Sequence, residues 1–250
     1  TFGGMPGMAA YGNSQDKISY LNNLFELTYL KDIVEHAKIA DTAPVKELLT
    51  VLASSEGSLI SINKMSELFK QKEDKSISRQ TVEKYLLAFM DSFLISEVKR
   101  FDIRGNKFIA SSKKYYFADC GLRNALLSFS QNDRGHLMES VVYRDLKRRG
   151  YAINVGIVPA IQSNQDGSRT RKQYEVDFIA TKGNEKLYIQ SAYRIYDDEK
   201  LEQESNSLLK TGDSFRKIIV EGDLYVPYTD KNGIYHVGII DFLLDEKSFG

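Results

Sequence analysis

Glu139, Glu175, Asp177 and Gln190 are the residues of this 250-residue chain whose types and spacing could do chemistry. Glu139 lies in GHLMESVVYRDLKRRG, where Leu137, Met138, Val141, Val142 and Leu146 recur at helical spacing. Glu175 and Asp177 alternate in the run YEVDFIA, and Gln190 lies in the next run, YIQSAY. Side chains two apart on a strand share a face. Glu175 is therefore expected to point with Asp177, and Gln190 with Ala192. A helix acid, a strand acid, and a further acid with lysine two residues on form the layout of a metal-dependent phosphodiesterase. The acids bind one or two hard divalent cations through oxygen, and the lysine activates water and stabilises developing charge. Here Gln190 offers a neutral carbonyl oxygen in place of an acid, and Ala192 stands at the lysine position. Lys186 lies four residues before Gln190, ~13 Å along a strand, and Lys172 starts the preceding strand; neither has the spacing of a replacement. The competing reading is a scaffold whose acids only hydrogen-bond locally.

A second set could meet nucleic acid. From Lys99 to Tyr116 six basic residues face one acid, and they include Arg100, Arg104, Lys107, Lys113 and Lys114. Cations on a hairpin can meet phosphates, an electrostatic and salt-dependent contact. Arg79, Gln80, Thr81 and Lys84 lie on the polar side of a preceding helix and are types that bond base edges or phosphates. The alternative is a rigid spacer or protein dock. After Arg194 twelve acids oppose six bases, which suits a surface facing something other than DNA. His36, His136 and His236 form no ligand spacing and read as surface or packing residues. Cys120 reads as a packed thiol, and the 15 tyrosines as core and interface residues.

The elements that must position these groups are legible in outline. Apolar residues from Ile18 to Val34 predict a helix over 14–39. Pro44 suits the first turn of a second helix, Ser61 or Asn63 caps a third, and after the polar stretch QKEDKS Ser78 caps a fourth. EVKRFDI, KFIAS and KKYYFAD then read as short strands around a turn at Arg104-Gly105-Asn106. Helices followed by a β-hairpin give the order of a winged helix-turn-helix, with the fourth helix as recognition helix and the hairpin as wing. Beyond a short helix at 121–128 come the Glu139 helix, the strand YAINVGIV, the polar loop SNQDGSRTR, and two strands joined at Gly183-Asn184, a hairpin signal. A helix over DDEKLEQESNSLLK, the strand RKIIVEG and the segment YHVGIIDFLL follow. That order predicts a mixed α/β fold, a winged helix followed by an α/β/α layer domain.

Composition narrows the class. Basic and acidic residues balance at 34 each and 42% of residues are hydrophobic, which excludes wholesale disorder and a uniformly basic nucleic-acid coat. A single cysteine excludes a disulfide scaffold and a cysteine-based zinc cluster and suits a reducing, cytoplasmic setting. No run approaches ~18 apolar residues, so no membrane partner is expected, and no signal peptide is visible. No G-x-x-x-x-G-K-[ST] occurs, so the chain has no P-loop of its own. The opening TFGG reads as the middle of something longer.

GGMPGM followed by YLNNLFELTYLKDIVEHAKI resembles the junction found in predicted AAA+-type ATPases of bacteria and archaea. The resemblance continues through ISRQTVEKYLLAFMDSFLISEVKRFDIRGNKF, SSKKYYFADCGLRNALLSF, GHLMESVVYRDLKRRGY, YEVDFIA, LYIQSAY and IIDFLL, and covers essentially the whole chain. It implies a tail of an ATPase module with a connecting helix over 1–40, a winged helix over 41–128, and over 129–250 a domain similar to the PD-(D/E)XK restriction-endonuclease-like fold. ATP would be bound only by the module preceding this chain, which would also drive any oligomer. Carried over residue by residue, Glu139 matches the helix acid, Asp177 the central metal-binding acid, Gln190 the second strand acid, and Ala192 the missing lysine. Glu175 would be an auxiliary ligand to Mg2+ or Mn2+. The function implied is the effector region of an AAA+-like ATPase, touching DNA or a protein partner through the basic winged helix, with a degenerate nuclease-like domain. The alternatives are an active metal-dependent nuclease and a pure protein-interaction module.

Overall fold

The computed structural model describes residues 1–39, 41–73, 77–131, 133–163 and 169–245. Parts of two expected polar segments, 74–76 in QKEDKS and 164–168 in SNQDGSRTR, lie outside the described residues, as do 246–250 of the acidic end. The chain is a mixed α/β protein divided into two compact units, Thr1–Glu97 with Ser111–Asp133 and Val98–Ala110 with Arg134–Gly250.

The first unit is mainly helical. Helix α1 (Ser14–Leu24) runs through a π-helical stretch, Phe25–Leu30, into α2 (Lys31–Ala37), so the predicted helix forms as one continuous run. The Asn13 side chain caps its start by accepting the Asp16 N–H at 2.8 Å, and Lys38, with φ of 49°, ends it in the left-handed conformation. Helices α3 (Ala43–Ser54), α4 (Ile62–Glu73), α5 (Arg79–Asp91) and α6 (Cys120–Leu126) follow. Ser78 caps α5 as its sequence position predicts, its Oγ accepting the Thr81 N–H at 3.1 Å. Leu21, Leu48, Leu52, Val82, Phe89 and Phe117 share one core. Asp119 caps α6 by accepting the Gly121 N–H at 2.7 Å, and its other oxygen accepts the Gly4 N–H at 2.7 Å. Gly3 sits at φ of +73°, where a Cβ would meet the Asp119 carboxylate at 2.0 Å; only glycine fits. Residues 1–39 therefore pack inside this unit as part of its own core.

The hairpin is where the fold departs furthest from the linear reading. Strand β1 (Ile95–Asp102) and strand β2 (Lys107–Phe117) form it, the latter merging the two short strands expected over 107–119. Its base, 95–97 and 111–117, belongs to the first unit, and its tip, 98–110, to the second. The tip is no free appendage. Arg100, Phe101 and Asp102 pair in parallel with Val155, Gly156 and Ile157.

In the second unit, α7 (Arg134–Arg148) leads into β3 (Ala152–Ser163), β4 (Arg169–Lys182), β5 (Glu185–Ala192), α8 (Asp198–Leu209), β6 (Arg216–Glu221), β7 (Tyr228–Thr229), β8 (Tyr235–Gly238) and α9 (Ile239–Leu244). The sheet order is β2-β1-β3-β4-β5-β6-β8-β7. Neighbours β3–β4 and β4–β5 are antiparallel, and β5–β6 and β6–β8 parallel. Tyr143 of α7 meets Phe178 of β4 with ring centroids 6.3 Å apart. The next residue, Ile179, clusters instead with Val176, Tyr188, Ala192 and Leu208 of α8. Adjacent strand residues point to opposite faces, so α7 and α8 cover opposite faces of the sheet.

Candidate functional site

Strands β4 and β5 and helix α8 enclose a cavity of about 550 Å³. Glu175, Asp177, Glu199, Glu202 and Glu204 line it, and Lys172 is the cation in the wall. Glu175 and Asp177 thus reach one cavity, as expected, but not by simple alternation. Asn154 pairs with Ile179 while Gly156 pairs with Val176, so Asp177 and Phe178 together oppose Val155. This bulge re-aims the strand: Val176 and Ile179, three residues apart, join the same apolar cluster.

Asp177 and Gln190 do meet. The Asp177 carboxylate accepts the Ser191 N–H at 2.9 Å, and the Asp177 N–H donates to Gln190 Oε1 at 3.2 Å. Ser207 of α8 also donates to that amide oxygen, at 3.4 Å. The one metal-ligating atom Gln190 could offer is therefore turned into the backbone. Ala192, at the position where the resemblance expects a lysine, is 3% exposed and packs beside Leu208 in an apolar cluster. Glu139, buried on α7, is not among the residues lining the cavity. Among the described residues no three His, Cys, Asp or Glu side chains are grouped to hold a metal ion. Of the expected trio, Glu175 and Asp177 line this cavity and Glu139 does not. Lys186 is committed elsewhere, its Nζ lying 4.9 Å from the Tyr188 ring centroid and 4.7 Å from that of Phe215. Lys200 pairs with Glu204 at 2.5 Å. Lys172 is the functional candidate that spacing overlooked: five residues before Asp177 on one strand, it nevertheless lines the same cavity.

The basic residues divide by burial. Lys114 is 2% exposed and Arg100 8%, which corrects the expectation that both face phosphates. Arg100 donates to Gln173 Oε1 at 2.9 Å. Lys113 is half-buried and paired with Glu97 at 2.7 Å. Arg104 and Lys107 are exposed at the hairpin tip. On α5, Arg79 and Gln80 are exposed, but Arg79 is bonded to Glu83 at 3.0 Å. Lys84 lines a groove with Asp32, His36 and Asp91, an acid-flanked setting for a phosphate contact.

The remaining candidates take structural places. His36 pairs with Asp32 one helical turn away, at 3.2 Å, and Cys120 is buried at the start of α6. His236 is fully buried, bonded through Nδ1 to Glu221 at 2.6 Å and stacked on Tyr228 at 4.4 Å. Tyr188 donates to Asp213 at 2.6 Å, and burial followed by that bond pushes its phenol well up.

A two-unit mixed α/β chain, with an acidic cavity and a divided basic hairpin, defines the class. The model of a family described as Domain of unknown function (DUF8612) matches residues 1–133, and the chain belongs to that family. The match ends at Asp133, where the first unit ends. An uncharacterized protein of Haemophilus influenzae is 30% identical over 243 residues, which are 97% of this chain and 56% of that protein. An uncharacterized protein of Methanocaldococcus jannaschii is 32% identical over 199 residues, 80% of this chain and 42% of that protein. The chain spans about half the length of the curated relatives it matches. No solved structure matches. No helix among the described residues is long and apolar enough to cross a membrane.

Proposed function

We propose that this chain is the effector region of a larger, cytoplasmic AAA+-like ATPase. In this reading a basic winged-helix unit engages DNA or a protein partner and is followed by a nuclease-like domain that does not cleave. The observation that carries the non-cleaving part is the fate of the lysine position, where Ala192 packs in the apolar cluster under α8. The tied amide oxygen of Gln190 supports it as well. ATP binding and assembly belong to the remaining half of the longer protein, for which the length of the relatives leaves room. The single, buried cysteine suits the reducing compartment.

A gel-shift titration of the full chain at two salt concentrations tests the DNA contact. Binding that weakens with salt is expected, and no shift at low salt sinks it. Incubation of DNA with the chain and Mg2+ or Mn2+ tests the non-cleaving part, with no product expected. Cleavage abolished by Asp177→Ala would reinstate the metal-dependent nuclease. A second reading, a protein-interaction module, is favoured by the five acids around the cavity, which repel phosphate. Capture of a basic protein partner by the full chain, together with no DNA shift, would select it.

A further inference from the structure

Arg104, Lys172 and Lys210 come from three distant stretches of the chain and meet in the second unit. Arg104, in the hairpin turn, donates to the Lys210 carbonyl at 2.9 Å, a residue that caps the C-terminus of α8. Lys210 and Lys172 both lie against Tyr174, with Nζ 5.1 Å and 5.0 Å from its ring centroid. Arg104 and Lys172 line a cavity of about 550 Å³ together with Pro159, Ala160, Ile161 and Gln173. None of the three cations makes an ion pair among the described residues. This sets them apart from Lys113, Arg79 and Lys200, each of which is neutralised by a carboxylate.

Like charges brought together cost free energy that a bound anion lowers, although Lys172 also has the carboxylates of the acidic cavity beside it. A Tyr ring can hold ammonium groups through its quadrupole without neutralising them, so Tyr174 positions the lysines and leaves their charge available. Two apolar side chains are exposed, Ile161 at 69% in the cavity wall and Phe108 at 62%, four residues after Arg104 in the hairpin tip. Phe108 is braced edge-on by Phe101 at 5.3 Å. Cations that take phosphates, interleaved with an exposed aromatic on which bases stack, make the composition of a single-strand surface.

We propose that Arg104, Lys172 and Lys210 form a seat for the phosphate backbone of a single-stranded nucleic acid, with Phe108 as its stacking platform. The proposal rests on the reading that this chain contacts nucleic acid, and it moves that contact from α5 to the second unit. Lys172 and Gln173 line both this seat and the acidic cavity. The strand is held on one side of them and repelled from Glu175, Asp177 and Glu199 on the other. That boundary keeps the backbone away from Asp177 and accords with a domain that binds without cutting.

The test is fluorescence anisotropy of the full chain with a labelled single-stranded oligonucleotide, the matching duplex, ATP and poly-glutamate, at about 50 and about 200 mM salt. The single strand is expected to bind most tightly. The combined Arg104→Ala, Lys172→Ala, Lys210→Ala variant is expected to weaken it by about tenfold or more. Its salt slope should fall by about two, since each single-strand phosphate contact contributes roughly 0.7. Arg79→Ala with Lys84→Ala on α5 should change affinity less than about twofold, the effect of a solvated pair. If the triple variant loses its circular-dichroism melt, Lys172→Gln and Phe108→Ala alone provide the reading. Normal binding by the triple variant, or by both substitutes, overturns the seat and leaves nucleic-acid contact standing. Tighter binding of duplex, equal binding of poly-glutamate, or binding of ATP alone also overturns it. No binding of any probe at low salt removes both the seat and the reading beneath it.

Discussion

Lys114 and Arg104 lie ten residues apart on one hairpin, and their surroundings give them opposite roles. At the base, in the first unit, Lys114 is buried and Lys113 is paired with Glu97. The hairpin base there is held by internal charge. Glu56, 1% exposed, accepts the Phe117 N–H at 2.8 Å and faces Arg123 at 3.5 Å, while Arg123 donates to the Ala53 carbonyl at 2.8 Å. At the tip, in the second unit, Arg104 and Lys107 are exposed. The comparison teaches that a run of positive residues is not a unit of function. Burial and partners turn one half of the run into scaffold and leave the other half its charge.

The sharpest way to break that comparison is at the base. Glu56→Ala removes the counter-charge of the buried Arg123 guanidinium and leaves the Phe117 N–H without its acceptor, and a loss of about 3–5 kcal/mol in urea unfolding is expected. A loss below about 1 kcal/mol would mean that the base is no more structural than the tip. Lys114→Met is expected to change stability by about 1–3 kcal/mol while leaving oligonucleotide affinity where it was. Weakened binding with an unchanged melt would place Lys114 among the contact residues.

Phenols bonded to carboxylates offer a smaller effect. Tyr151 donates to Glu185 at 2.6 Å, and burial followed by that bond pushes it up to about 12. The folded state prefers the neutral phenol. Its stabilisation is therefore fully present below about pH 10 and is lost as pH rises toward about 12. Tyr151→Phe should cost about 1 kcal/mol at neutral pH and flatten the fall in stability across that window. An unchanged alkaline slope would show that Tyr151 does not govern it. Burial and then Glu97 raise Tyr115 in the same direction at the hairpin base, so a residual slope is expected there. The smallest effect belongs to α5, where Arg79→Ala breaks an exposed pair with Glu83. A change within about 0.5 kcal/mol is expected; a larger loss would make that helix surface part of the scaffold.

Much of the fold was legible because its signals are local. The helical period read over 14–39, the cap at Ser78, and the turn at Gly183, with φ of +58°, each depend on a few neighbouring residues. The same holds for Asp177 and Gln190 as neighbours, because two strands joined by a tight turn must pair antiparallel. The bulge at Asp177 and Phe178 was not legible, since it is a shift of register between β4 and its neighbour β3. Nor was the merging of 107–117 into one strand, or the short helix at 239–244. The place of Glu139 was not legible for a related reason: spacing puts it on a helix, but only packing decides which way that helix presents it.

The sequence by itself determined the α/β character, the order of elements, and the basic and acidic segments. Only the tertiary structure decided that β1 pairs in parallel with β3 more than fifty residues away, and that Lys114 is core while Arg104 is surface. It also decided that Lys172 and Lys210 share one tyrosine ring. Charge and apolarity are written residue by residue. Whether a charge meets water, a carboxylate or another cation depends on contacts between distant segments, which form only when those segments pack.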